Sequence, residues 1–589
     1  MDRTGLGRLD AKSPTVNTLN TRRRPGSDAP CSPSGSVFPV LATNFAWPYR
    51  AAVFTILLLL PWLAQAHLGS PDVFFDGMAG PYPARIVIRM PAVVPGRAEI
   101  SVRVQQPGQA TRPPGLDGGT TPTIEESRPT VSFLSLYSRT AITNAPPPDV
   151  AQLASGESNL YTGELWLMSF GAYSIEVRIR GTAGDGVVQI PVNSVALRQL
   201  PLPPYLGKVL VVLGIILLLG AIGIAAAAAR EAVLPAGLSV DASQRRKGWR
   251  VGALTSVILV ILLAGGKRWW QAEEKAFRNH LRAGAWPDLA AEVRLQGPQR
   301  ILRLTLGQKE FGQARPLSLL PDHGKLIHLF LVRQPNHDAF GHLHPVRVGD
   351  QAFEVALPPL PQGQYEAFCD VTLADSAMSS TATAMVQIPA AATNALETSA
   401  LQSDPDDSWA ANLRGAEPAQ VTGVPTGTPS ALIGDILCRM PGGEQIVWKA
   451  HAPLRARQDA ALSFEVRERD GQPLELEPYM GMLSHAAVLR ADGFVFAHLH
   501  PSGNYSMAAQ SFFDTKLQRE TAIESGGATP AMAAGMDHST MHHHHVVPAS
   551  AVISLPYEFP SPGDYRIWAQ FKSHGKVLTA AFDATVAAK

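Results

Sequence analysis

Through much of the chain apolar and polar residues alternate in short runs interrupted by Pro or Gly. Examples are ARIVIRMPAVVPGRAEISVRV (84–104) and GELWLMSFGAYSIEVRIRGTAGDGVVQIPVN (163–193). A period of two over four to eight residues, with turn formers between, predicts antiparallel strands packed as β-sandwiches. In the second segment, GAYSIEVRIRG and the following VVQIPV read as the last two strands of one sandwich. Comparable alternation in QRILRLTL (299–306) and ALSFEVRERDGQPLE (461–475) opens two further strand-rich regions. The chain is therefore expected to be mostly β.

Three long apolar runs break this pattern. The first, AAVFTILLLLPWLAQA (51–66), follows Arg50 and ends in Ala-Gln-Ala. A charged flank, an apolar core and an A-x-A end predict a secretory signal segment over 50–66, preceded by a disordered extension over 1–49. The second run, within YLGKVLVVLGIILLLGAIGIAAAAAR (Tyr205–Arg230), is long enough to span a bilayer. The third, VGALTSVILVILLAG (251–265), makes a second span over 251–266. Between them Arg230, Arg245, Arg246, Lys247 and Arg250 face only Glu231 and Asp241, so the positive-inside rule makes 231–250 a cytoplasmic loop. Trp269 and Trp270 suit the opposite interface. Residues 67–204 and everything after about 267 would then face outward.

The outward region after the second span contains an internal repeat. GKLIHLFLVRQPNHDAFGHLHPV (324–346) is matched by GMLSHAAVLRADGFVFAHLHPSG (481–503), and LPQGQYEAFCDV (360–371) by PSPGDYRIWAQF (560–571). Two related sandwich domains are expected, over 267–390 and 428–589. The segment 391–427, rich in Ala and holding Asp404, Asp406 and Asp407, reads as a linker.

Each copy starts one strand with a His and ends the next with His-Leu-His: His328, His342 and His344, then His485, His498 and His500. Alternate residues of a strand share a face, so the two His of each pair project together, and a hairpin brings the lone His across. Three converging imidazoles suit Cu(II) or Zn(II). The competing reading is a structural network of imidazoles bonded to carbonyls. Met480 and Met482 precede His485, and thioethers favour Cu(I). Cys369 offers either a further ligand, an inert buried thiol or a bridge to Cys438. A Met/His-rich loop, ATPAMAAGMDHSTMHHHHVV (528–547), adds Met536, His538, Met541, His542, His543, His544 and His545 as ligands for soft or borderline metals. Cleavage after Ala66 would expose His67 as an N-terminal ligand, but the next histidine is His280, too few for a brace in the first domain.

Composition narrows the function. Fifty basic and 49 acidic residues leave a net charge of +1, which argues against nucleic acid as a partner. No glycine-rich loop follows an expected strand. Asp338 and Asp492 sit at turns and make poor general bases, so an enzyme is the less favoured class.

The GHLHP and AHLHP motifs, followed by G-x-Y near the C-terminal edge, resemble periplasmic immunoglobulin-like proteins of the YtkA-like and copper-resistance C type. The resemblance covers chiefly 290–390 and 430–588. It implies several immunoglobulin-like β-sandwich domains facing the periplasm from a bacterial inner membrane. It also implies copper, with zinc as the alternative, and a periplasmic cuproprotein or membrane transporter as partner. The expected function is copper or similar metal binding for resistance, delivery or cuproprotein assembly. The alternatives are a membrane-anchored interaction or assembly module with structural histidines, and a metal-dependent periplasmic enzyme.

Overall fold

Alternation becomes burial in strands such as Gly96–Val104, where GRAEISVRV places Ala98, Ile100, Val102 and Val104 inside and the residues between them outside or half-buried. The computed structural model describes residues 72–105, 128–196, 202–235, 237–285, 287–297, 299–310, 313–315, 317–390, 404–413, 417–418, 434–450, 452–524 and 552–589. The expected signal segment, the extension before it, His67 and the Met/His-rich loop lie outside the described residues.

Among the described residues, six antiparallel sheets pair into three sandwich-like units, each around one apolar core. The first unit faces Val73–Ala79, Tyr82–Arg89, Gly96–Val104 and Leu160–Leu167 against Thr130–Tyr137, Gly171–Gly181 and Gly184–Ser194. Gly171–Gly181 and Gly184–Ser194 pair as the terminal hairpin of that unit. The second unit has one sheet built on Asp288–Gln296, Gln299–Glu310 and Ala352–Ala356. Its other sheet is built on β1 (His328–Arg333), β2 (Ala339–Leu343) and β3 (Gly363–Leu373). The third unit pairs a sheet containing Gln445–Ala450, Asp459–Arg467 and Ile553–Glu558 with one containing β4 (His485–Arg490), β5 (Phe496–Leu499) and β6 (Gly563–Ser573).

The first unit rests on the third through buried charge. Arg89 donates to both oxygens of the fully buried Glu558, at 3.2 and 2.6 Å, and Arg457 reaches the buried Asp72 at 3.3 Å.

Two helices, α1 (Pro204–Glu231) and α2 (Ala242–Ala285), are long and apolar enough to cross a membrane. They lie side by side, with Gly252 facing Ala226 and Ile222. The loop expected over 231–250 is shorter than that, because α2 starts at Ala242. Asp241 Oδ1 accepts the Gln244 amide N–H at 2.7 Å while Gln244 Oε1 accepts that of Asp241 at 3.0 Å, a reciprocal cap that fixes the start. No Pro interrupts the residues beyond this cap, so the helix runs on through Trp269 and Trp270.

A third helix, α3 (Met507–Glu524), follows the second His-Leu-His pair and inserts Ala509 and Phe513 into the core of the second unit. Burial raises the Asp514 carboxyl on this helix to about 6. A carboxyl lifted from 3.8 in the unfolded chain stabilises the fold below that value and loses its contribution as pH rises towards 6. Asp514→Asn should therefore leave the thermal midpoint of the detergent-solubilised protein unchanged at about pH 3, below the unfolded value. At pH 7.5 it should raise stability by about 1–2 kcal/mol, the linkage of two pKa units discounted for partial exposure. An equal effect at both pH values would refute the assignment.

Candidate metal centre

The sequence of β1, HLFLVR, is apolar from Leu329 to Val332, and five of its six positions are buried. Such a run belongs to a strand covered on both faces. Leu329 and Leu331 enter the core of the second unit, whereas Phe330 and Val332 join a separate cluster with Phe340, Phe368, Ala487, Leu489, Phe496, Trp568 and Ala581. That fourth core lies between the second and third units. His328 shares the parity of Phe330 and Val332, so it faces this junction. In β4 the same split sends Ala486 and Val488 inward and Ala487 and Leu489 to the junction, with His485 on their side.

Reciprocal contacts relate the two units by a pseudo-two-fold axis. Phe340 of β2 stacks on Trp568 of β6 at 4.8 Å and 14°, and Phe496 of β5 stacks on Phe368 of β3 at 4.3 Å and 9°. Phe340 and Phe496 are equivalent in the repeat, as are Phe368 and Trp568. His342 Nδ1 meets Gln570 Oε1 at 2.9 Å, and its counterpart His498 Nδ1 lies 3.6 Å from Oδ2 of Asp370, the residue equivalent to Gln570.

Around this axis the two three-histidine sets merge into one cluster. His328, His342 and His344 each offer one ring nitrogen within 4.8 Å of the others. A second group with the same spacing is His323, His485 and His500. His498 stands between the groups, its ring 5.5 Å from that of His342, 5.4 Å from His328 and 4.5 Å from His500. His342 and His485 have no exposed surface, and His328, His344 and His500 have almost none. Desolvation, and then the neighbouring imidazoles, hold His328, His342, His485 and His500 well below the usual histidine range, so these rings are neutral at pH 7.

The hydrogen bonds fix which nitrogen carries each proton. His328 Nε2 lies 3.1 Å from the Asp322 carbonyl, which can only accept, so its Nδ1 is a lone pair. The Gln570 amide nitrogen donates to Ser408 Oγ at 2.5 Å and Thr579 Oγ1 at 3.2 Å, which leaves Gln570 Oε1 to accept from His342 Nδ1. Tyr479 lies on the same nitrogen at 3.3 Å and gives its own hydrogen to the Asp406 carbonyl. His342 Nε2 is therefore also a lone pair, 3.3 Å from His328 Nδ1. Two lone pairs at that distance repel unless a cation lies between them. Two nitrogens bound tetrahedrally to one ion at about 2.0–2.1 Å stand about 3.3–3.4 Å apart. His344 completes the set: Asp407 Oδ1 accepts from its Nδ1 at 3.0 Å, and its Nε2 has no partner among the described residues. In the other group neither ring nitrogen of the buried His485 has one. The structural-network reading requires those bonds.

His323 is not visible in the sequence pattern, because it precedes the repeat alignment and sits in a turn at φ +49°, not on a strand. It takes a place in the second group that the sequence assigned to His498. The segment that reads as a linker also contributes. Ser408–Ala411 pairs with β2, and Asp407 orients His344, while Lys325 engages both oxygens of Asp404 at 2.6 Å and neutralises the third potential ligand group of His344, Asp404 and Asp407. Met480 is buried; Met482 Sδ instead accepts from Ser502 Oγ at 3.9 Å. Cys369 and Cys438 are free thiols, and Cys369 points into the core of the second unit, away from the histidines. Asp338 and Asp492 pair with Arg333 and Arg490.

Residues 441–528 and 531–588, a quarter of the chain, match a family described as a domain of unknown function, DUF8832. No curated protein matches the chain. Solved structures similar to it include Escherichia coli alpha-2-macroglobulin activated by porcine elastase, at 10% identity over 86% of this chain and 44% of that one, with a TM-score of 0.16. An endo-fucoidan hydrolase of glycoside hydrolase family 107 aligns at 8% identity over 85% and 43%, with a TM-score of 0.13. The ICAM-5 D1–D4 ectodomain fragment aligns at 10% identity over 86% and 84%, with a TM-score of 0.12. The chain spans less than half the length of the first two. At these scores none of the three identifies a fold or a function for it.

Proposed function

We propose that the chain is a membrane-anchored assembly module with a resident transition-metal ion held by His328, His342 and His344 of the second sandwich-like unit, while a second ion at His323, His485 and His500, which come from both units, clamps the second unit to the third. The facing lone pairs of His328 Nδ1 and His342 Nε2, 3.3 Å apart, carry the proposal. Burial of the donors favours an ion that stays in place over one passed to a partner, and a non-catalytic role over an enzymatic one. Imidazole donors suit zinc and copper alike. The charge between α1 and α2 supports a cytoplasmic connection, and with it periplasmic sandwiches on a bacterial inner membrane. A cuproprotein or transporter as partner is compatible with that placement.

The test is metal analysis and titration of the full-length protein in detergent with Zn(II) and Cu(II). One variant replaces His342 by Ala, and another replaces His542, His543, His544 and His545. Tight binding that survives loss of the loop histidines and weakens at least about 100-fold in His342→Ala supports the centre. Binding that disappears only with the loop histidines, or no binding at all, refutes it.

A further inference from the structure

The pseudo-two-fold axis pairs His328 with His485, His342 with His498 and His344 with His500, and His323 is the clustered histidine whose counterpart is not a histidine. Its place in the repeat, five residues before His328, is taken in the other copy by Met480, five residues before His485. The two turns match in detail. Asp322 and Lys325 exchange two backbone hydrogen bonds at 2.8 and 2.9 Å, and Tyr479 and Met482 exchange the same two at 2.6 and 3.1 Å. His323 and Met480 both adopt the left-handed conformation, at φ +49° and +50°, and each precedes a glycine near +80°.

His323 does not serve its own unit's histidines alone. It crosses the junction, its ring 4.9 Å from that of His500 and 5.6 Å from that of His485. Two other junction contacts, the aromatic stacks and the partners of His342 and His498, are already reciprocal. Applied to Met480, the same operation would set its side chain beside His344 and His328, the counterparts of His500 and His485. Met480 is buried yet joins none of the four apolar cores.

We propose that Met480 supplies a thioether ligand to the centre of His328, His342 and His344, making it a copper(I) site, while His323, His485, His498 and His500 form a second, all-imidazole site that prefers Zn(II). This inference rests on the metal centre proposed above. Thioether sulfur is a soft donor that selects Cu(I), and imidazole alone does not. Each ion would be held by residues of both units, so neither site is complete without the junction.

The test uses the full-length protein in detergent, with the loop methionines and histidines at 532–545 replaced so that they supply no ligands. Cu(I) affinity is measured by competition with a chromophoric chelator, and sulfur ligation by X-ray absorption at the copper edge. The parent should bind one Cu(I) with a sulfur neighbour and one Zn(II). Met480→Leu, which keeps the apolar bulk, should remove the sulfur signal and weaken Cu(I) binding about tenfold or more, leaving Zn(II) binding within about twofold. Met480→His should make the two sites alike and both zinc-selective. A parent that binds Cu(I) without sulfur, or a Met480→Leu protein that binds it as tightly, overturns the assignment of Met480 and leaves the three-histidine centre standing. Loss of all binding in the loop-substituted parent overturns both.

Discussion

Zn(II) added to the metal-free, detergent-solubilised protein raises its stability by about 2.7 kcal/mol for each centre when the free ion stands a hundredfold above its Kd. A strong chelator removes the gain. The expected size follows from linkage, since the unfolded chain separates His328 from His342 and His344, and His323 from His485 and His500. The location of the effect follows from the structure. Without an ion, Nε2 of His344, Nε2 of His498 and both ring nitrogens of His485 are desolvated with no compensating bond from the described residues, and the lone pairs of His328 and His342 face each other at 3.3 Å. Such groups cost free energy in the fold that water repays on opening. Metal-dependent protection from hydrogen exchange should therefore concentrate in β1, β2, β4 and β5, and be weak in the first sandwich-like unit. Uniform protection along the chain, or a midpoint indifferent to metal and chelator, would sink the clamp.

What was legible in the sequence was the part written with period two. The alternation of Gly96–Val104, the hairpin of Gly171–Gly181 with Gly184–Ser194, and the shared face of each His-Leu-His pair all follow from the pleat. So do the two long apolar helices, from length and composition. The meeting of the two histidine sets was less visible, because each set reads as a separate site on its own unit. The clue lay in the apolar runs LFLV and AAVL inside HLFLVR and HAAVLR, which belong to strands buried on both faces and so to a second surface against them. His323 and Met480 carry no strand period at all; their left-handed turns become recognisable as equivalent only once the pseudo-two-fold axis is seen.

Two other features depended on tertiary contacts. Ser408–Ala411 is too short to register as a strand against its Asp- and Ala-rich surroundings, and it acquires its conformation by pairing with the free edge of β2. The helix Met507–Glu524 has few apolar positions, and it is held by Phe513 in one core and by Gln510, which donates to the Gln189 carbonyl of the first unit at 2.7 Å. Propensity is a weak guide where packing decides.

Trp568→Ala should destabilise the protein by about 3–5 kcal/mol and weaken metal binding at the same time. Trp568 is fully buried, stacks on Phe340 and lies two residues from Gln570, which orients His342. Its loss leaves a cavity at the junction and loosens the register between the two halves of the cluster. Phe464→Ala is the control. That ring is equally buried but packs with Phe571 and Phe582 in the core of the third unit, apart from the cluster at the junction, so a similar loss of stability should leave the Kd for Zn(II) unchanged under folded conditions. Calorimetric melts and Zn(II) titration of the two variants separate the possibilities, and equal losses of affinity would show that the junction has no special bearing on the site. Trp568→Phe should cost less than Trp568→Ala, because it keeps a ring on Phe340 and leaves a smaller cavity. The indole nitrogen has no hydrogen-bond partner among the described residues to lose, and the equivalent position of the first copy is already Phe368, stacked on Phe496 in the same way. An aromatic ring at each of the two positions is thus what the pseudo-two-fold junction requires, and the ring's shape, not its polar group, keeps the histidines in register.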